Sequence, residues 1–204
     1  KDGVDELIGA NAWTTIWAYD VDRQLPKWSL NNFNTGSIRT GDIDNDGQIE
    51  LLVGDAQWGN ETAYDAMTLT KEWAIRNPEH GTTDINFGDV DGDGKNEVIW
   101  GAGHTSSGKD IFYVGDYATQ TREWESVHLD GPFRGPWMGD VDGDGKPDIV
   151  TVKGWYRQET PTKWEWNPDF ELGDTGVITD ATLLLSNDQV ASHGGFTYEC
   201  WFKW

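Results

Sequence analysis

One nine-residue phrase occurs three times and constrains this chain more than any other feature. It reads Asp42-Ile-Asp-Asn-Asp-Gly-Gln-Ile-Glu50, then Asp89-Val-Asp-Gly-Asp-Gly-Lys-Asn-Glu97, then Asp140-Val-Asp-Gly-Asp-Gly-Lys-Pro-Asp148. Each copy runs directly into a short apolar stretch, at 51–53, 98–100 and 149–152. Carboxylates at loop positions 1, 3, 5 and 9 can converge on one point, because glycine at position 6 (Gly47, Gly94, Gly145) permits a sharp positive-φ turn. Carboxylates held that close repel one another unless a cation sits among them. An all-oxygen donor set without His or Cys favours Ca²⁺ over a transition metal, so three calcium sites are expected.

An EF-hand would need a bidentate Glu at position 12 and a helix on each side. Position 12 is Val53, Trp100 and Thr151, and β-type sequence follows each loop. The EF-hand is excluded, as is the dockerin-like variant that also needs an acid there. The stretch Phe87-Gly-Asp-Val-Asp-Gly-Asp-Gly-Lys-Asn-Glu-Val-Ile-Trp-Gly101 and its two sisters resemble the FG-GAP/VCBS repeat, the calcium-loop blade of integrin-α-like β-propellers, over about residues 1–156. The resemblance implies an all-β fold of four-stranded antiparallel propeller blades with DxDxDG calcium loops, part of a larger propeller of about seven blades. It places each loop between the innermost strand of a blade and the next strand. The implied ligands are Asp42, Asp44, Asp46 and Glu50; Asp89, Asp91, Asp93 and Glu97; and Asp140, Asp142, Asp144 and Asp148. Gln48, Lys95 and Lys146 would contribute backbone carbonyls only.

The formal net charge is −21, from 15 basic and 36 acidic residues among 204. Nucleic acid and anionic membrane both require clustered Lys and Arg, and no basic patch is visible. No apolar run approaches the roughly 20 residues of a membrane-spanning helix, so neither nucleic acid nor membrane insertion is expected. Cys200 is the single cysteine, which excludes an internal disulfide. Cytosolic Ca²⁺ is too scarce to fill modest-affinity sites, whereas extracellular modules bind at about 10⁻⁴–10⁻³ M. The expected location is therefore extracellular, secreted or at the cell surface.

Residues 1–9 match the second half of a loop, with Asp2 at position 5 and Glu6 at position 9, so the chain reads as a fragment opening inside a truncated repeat. Position 5 then falls at residues 2, 46, 93 and 144, a spacing suited to one four-stranded blade. Strands are expected at 13–20 and 25–30, at 61–67 and 69–75, and at 110–115 and 121–127, with entry strands at 37–41, 84–88 and 134–139. No segment carries helical periodicity. Trp28, Trp73 and Trp124 recur in one strand of successive repeats, the behaviour of blade-to-blade packing residues. Ala18-Tyr19-Asp20 followed by Lys27-Trp28 also resembles pyrroloquinoline-quinone-type propellers.

Propeller repeats are assigned to 1–170. Beyond the last loop, a third strand is expected at 162–166 and a fourth at 176–179. Residues 171–204 hold further strands, at 181–186 and 196–204, forming either a last blade or the start of a lectin-like jelly roll, which the stretch 195–204 resembles. Open blades leave an apolar flank for neighbouring sequence or another chain to cover.

The tryptophans Trp58, Trp137, Trp155, Trp164 and Trp166 stand outside the repeat pattern; Trp58, Trp137 and Trp155 are the candidate ligand-binding residues. The four histidines are scattered, and His104-Thr-Ser-Ser107 carries no oxyanion signature. The expected function is a non-enzymatic calcium-stabilised binding, adhesion or assembly module whose partner is a protein or glycan at the cell surface. The alternatives are a lectin or polysaccharide-degrading enzyme, and a self-assembling subunit of an extracellular filament.

Overall fold

The computed structural model describes residues 5–11, 13–31, 34–103, 111–126, 136–151, 154–160, 163–167, 191–193 and 197–199. The described residues contain no helix. The first sheet comprises β1 (Glu6–Asn11), β2 (Thr15–Asp20) and β3 (Leu25–Asn31). The second is β4 (Thr35–Gly41), β5 (Glu50–Asp55), β6 (Asn60–Asp65) and β7 (Lys71–Arg76); the third is β8 (Thr82–Gly88), β9 (Glu97–Ala102), β10 (Ile111–Asp116) and β11 (Thr121–Glu125). The fourth is β12 (Trp137–Gly139), β13 (Asp148–Thr151), β14 (Gly154–Thr160) and β15 (Lys163–Asn167). The pair β16 (Ala191–His193) and β17 (Thr197–Glu199) stands apart. Every neighbouring pair is antiparallel and every four-stranded sheet follows chain order, the simple meander of a propeller blade.

The apolar strands β5 and β9 after the first two acidic loops are buried on both faces, so adjacent residues serve different cores. Leu51 and Val53 of β5 pack with Ile16, Ile8, Trp28 and Leu30 of the first sheet. Leu52 between them packs the other way, with Ala63, Trp73, Ile75, Val98 and Trp100. In β9, Val98 and Trp100 face the second sheet while Ile99 turns to Ile149, Tyr156 and Trp164 of the fourth. Successive blades thus stack face to face, and entry strands run side by side. Ser37 Oγ and Arg39 Nη2 on β4 donate to Asp84 Oδ1 on β8, at 2.8 and 3.0 Å, and Asn86 of β8 donates to the Pro136 carbonyl ahead of β12.

The expected packing of Trp28, Trp73 and Trp124 is found, since each lies in one of the three inter-blade cores. Trp164 is a correction, because it belongs with them. It is buried on β15, opposite Gln158, as Trp28 is opposite Ala18, Trp73 opposite Ala63 and Trp124 opposite Val114. In all four sheets the register slips next to that pair: the extra residue is on the tryptophan's own strand in the first three (Lys27, Glu72 and Glu123) and on the opposite strand β14 in the fourth (Glu159). The strands after the last loop are a second correction: the third is β14 and the fourth β15, not 162–166 and 176–179. Only two residues separate β13 from β14, against four between β5 and β6 and eight between β9 and β10, so the third strand starts sooner after its loop than in the preceding blades. Residues 176–179 and 181–186 lie outside the described residues, and of 196–204 only β17 is described.

Candidate metal centre

Each acidic loop joins the first strand of a blade to the second: β4 to β5, β8 to β9 and β12 to β13. The local chemistry dictates its shape. Two residues per loop occupy the left-handed region, at position 6 (Gly47, Gly94 and Gly145, φ 85, 89 and 85°) and at position 4 (Asn45, Gly92 and Gly143, φ 63, 79 and 77°). Glycine and asparagine tolerate that conformation at least cost. The position-4 requirement escaped the sequence reading, though its Asn-Gly-Gly series was the available signal.

The reversed backbone turns its N–H groups inward onto the carboxylates. Asp42, Asp89 and Asp140 accept from the position-6 glycine N–H at 2.9, 2.9 and 3.0 Å. Asp44, Asp91 and Asp142 accept from the position-5 N–H at 3.2, 3.0 and 3.1 Å. The position-9 acids are buried, and they accept from the position-2 N–H: Ile43 to Glu50 at 2.6 Å, Val90 to Glu97 at 2.8 Å and Val141 to Asp148 at 2.8 Å. Position 2 also went unread in the sequence. Ile43 and Val90 are fully buried members of the inter-blade cores, so each of these loops is pinned at one end by a carboxylate and at the other by packing.

In every loop, oxygens from positions 1, 3 and 9 lie within 4.8 Å of one another: Asp42, Asp44 and Glu50; Asp89, Asp91 and Glu97; Asp140, Asp142 and Asp148. The position-5 acids Asp46, Asp93 and Asp144 stand outside these groups. Each accepts from the position-7 N–H of Gln48, Lys95 or Lys146, at 2.7, 2.8 and 2.9 Å. The Lys95 ammonium is 3.4 Å from Asp93 and that of Lys146 is 3.5 Å from Asp144.

The donor set fits a hard divalent cation. It is all oxygen, and Asp42 Oδ1 is buried without a hydrogen-bond partner although the other oxygen of that carboxylate is bonded. Burial lifts the Glu50 carboxyl to about 6, with the Asp44, Glu72 and Asp46 charges adding to it against the Ile43 hydrogen bond. Glu97 is pushed to about 8, by burial first and by Asp91, Glu123 and Asp89. Asp91 is raised as well, chiefly by burial. Such groups resist ionising together, the electrostatic signature of a site that takes up positive charge.

The other singled-out residues lie elsewhere. Trp58 is exposed in the β5–β6 turn, Trp137 is partly buried on β12, and Trp155 lies on β14 with its side chain outside the described residues. His80 meets Gln57, while His104 and His128 fall outside the described residues.

Residues 89–151 match the FG-GAP-like repeat family. Among solved structures, the V. cholerae biofilm matrix protein Bap1 superposes with a TM-score of 0.58 at 17% identity, covering 81% of this chain and 28% of that one. The hydrazine synthase of Kuenenia stuttgartiensis superposes with a TM-score of 0.56 at 13% identity, covering 80% and 51%. At those identities the likeness is one of fold, and this chain spans about a quarter of the length of the first protein and half of the second. Comparison with curated protein sequences gave no match.

Proposed function

This chain carries FG-GAP-like repeat sequence on β-propeller blades, and from that premise we propose that it is a calcium-stabilised extracellular module for binding, adhesion or assembly. The observation that carries the reading is the threefold grouping of the position 1, 3 and 9 carboxylates at one place in three successive blades. When bound there, Ca²⁺ supplies the positive charge that the converging oxygens lack. The chain's own residues turn occupancy into rigidity. The buried position-9 acid holds the position-2 N–H, and the position-2 side chain plugs the core between blades. The loop therefore sets where the second strand starts and how one blade meets the next.

An extracellular setting supplies calcium at the concentration such sites need, and the likeness in fold to a biofilm matrix protein supports it. The formal charge of −21 disfavours nucleic acid as a partner, and no helix among the described residues is long and apolar enough to cross a membrane. A larger ring of about seven blades is part of the proposal. Leu7 and Tyr19 form a cross-strand pair on the first sheet and are 64% and 42% exposed; the equivalent pair on the second sheet, Leu51 and Tyr64, is packed against a neighbouring blade.

The test is thermal unfolding of metal-stripped protein titrated with CaCl₂. At about a hundredfold excess over Kd each site adds about 2.7 kcal/mol, and in a chain this size each kcal/mol moves Tm by about 2–4 °C. The expected result is a calcium-dependent rise in Tm with about three ions bound by calorimetry. A Tm indifferent to calcium would overturn the proposal.

A further inference from the structure

On the rim away from the acidic loops, the β1–β2 turn and the β5–β6 turn each begin at a side chain that accepts N–H groups of the turn, and each carries a tryptophan. Asn11 ends β1 and its Oδ1 accepts the Trp13 N–H at 3.2 Å. Asp55 ends β5 and its Oδ1 accepts the N–H groups of Gln57 and Gly59 at 2.7 and 3.1 Å. In both cases a tryptophan stands two residues before the next strand, and in both it faces solvent: Trp13 is 62% and Trp58 52% exposed. Among tryptophans with described side chains, these two alone are exposed.

A single exposed indole needs no explanation. Two at equivalent turns of adjacent blades make a row on one rim. The Trp58 turn is also built to hold still. Gly81 N–H donates to the Gln57 carbonyl at 2.6 Å, Asn77 N–H donates to the Gly59 carbonyl at 3.3 Å, and His80 packs on the indole at 5.1 Å while its Nε2 meets Gln57 Oε1 at 3.2 Å. A fixed aromatic plate offers contact area at little cost in ordering.

The surrounding chemistry limits what it fits. Beside Trp13 are Asn11, Thr14, Thr15 and Asn31, all uncharged donors and acceptors. Beside Trp58 are Gln57, Asn60 and His80; of the nearby charges, Arg76 and Glu79 are of opposite sign, and the Asp55 carboxylate is turned onto the N–H groups of its own turn. Indole faces flanked by amides and hydroxyls match sugar rings, whose C–H faces are apolar and whose edges carry hydroxyls. We propose that the Trp13–Trp58 rim binds a neutral polysaccharide, with successive sugar segments resting on successive blades. This rests on reading the chain as a binding module and names its partner class. The calcium titration tests that reading separately, so failure of either is recognisable.

The experiment is affinity electrophoresis of the full chain in CaCl₂, through gels containing hydroxyethyl cellulose, laminarin, dextran or galactomannan, with alginate and DEAE-dextran as charged comparisons. Retardation by at least one neutral polymer is expected, weakened about tenfold in Trp58→Ala and in Trp13→Ala and abolished in the double variant. Should Trp58→Ala lower the melting temperature, Trp58→Leu and Trp13→Ala read the same contacts. No retardation by any neutral polymer, retardation by a charged polymer alone, or full retention in the double variant overturns the proposal.

Discussion

At the scale of single residues, the informative side chain is the buried acid at position 9. Glu97 does two jobs, accepting the Val90 N–H and facing Asp89 and Asp91 across the group of oxygens. Only the second requires its charge. Because burial raises its folded value from 4.5 to about 8, the metal-free fold holds the stability of the neutral acid below pH 4.5 and loses it as pH climbs through 8. Glu50 behaves alike through about 6. Glu97→Gln keeps an acceptor for Val90 and removes the charge. Without metal the variant should melt with the wild type at pH 5 and above it at pH 8.5. In saturating calcium at pH 8.5 that advantage should shrink by about the 2.7 kcal/mol that one filled site contributes at hundredfold excess, because only the wild type gains it. Melting curves under the four conditions check this, and a variant that melts lower in every one would show the carboxylate to be structural alone.

At the scale of elements, the fourth strand and its bulge carry the packing. Trp73 is 1% exposed between the second and third blades, among Leu52, Ala63 and Trp100, and stacks on Tyr117 at 5.5 Å. Trp73→Ala should cost about 3–5 kcal/mol. Trp28→Ala should cost less, since Trp28 is only partly buried. Urea denaturation in calcium gives both values, and equal losses would argue against inter-blade packing as the role of this position. Much of this was legible in the sequence, because an acidic loop followed by a both-faces-buried strand forms a short pattern with fixed spacing. Trp164 and β14 were not legible, because the connection after β13 is shorter than in the preceding blades and moved both out of the expected register. The roles of Ile43 and Val90 escaped for another reason: an apolar residue inside an acidic loop acquires meaning only when the neighbouring blade that buries it is known.

At the scale of the whole molecule, the deciding quantity is charge. Three divalent ions would take the formal −21 to −15, so roughly a third of the imbalance is relieved at the three turns where acids are densest. Self-repulsion of this kind opposes the compact state, and mobile ions weaken it from outside without entering a site. The Debye length falls from about 30 Å at 0.01 M to about 8 Å at 0.15 M, still longer than the 4.8 Å within a loop. Raising NaCl over that range should therefore lift the Tm of metal-free protein by several degrees, yet leave it below the calcium-loaded value, because screening acts poorly on charges held this close within a loop. Choline chloride should act like NaCl, as screening does not depend on the cation. Mg²⁺ at equal ionic strength should restore less than Ca²⁺, since it demands near-octahedral geometry and gives up water reluctantly. If NaCl alone brought the metal-free protein to the calcium-loaded Tm, diffuse repulsion would account for the whole effect and the three carboxylate groups would have no special part in it.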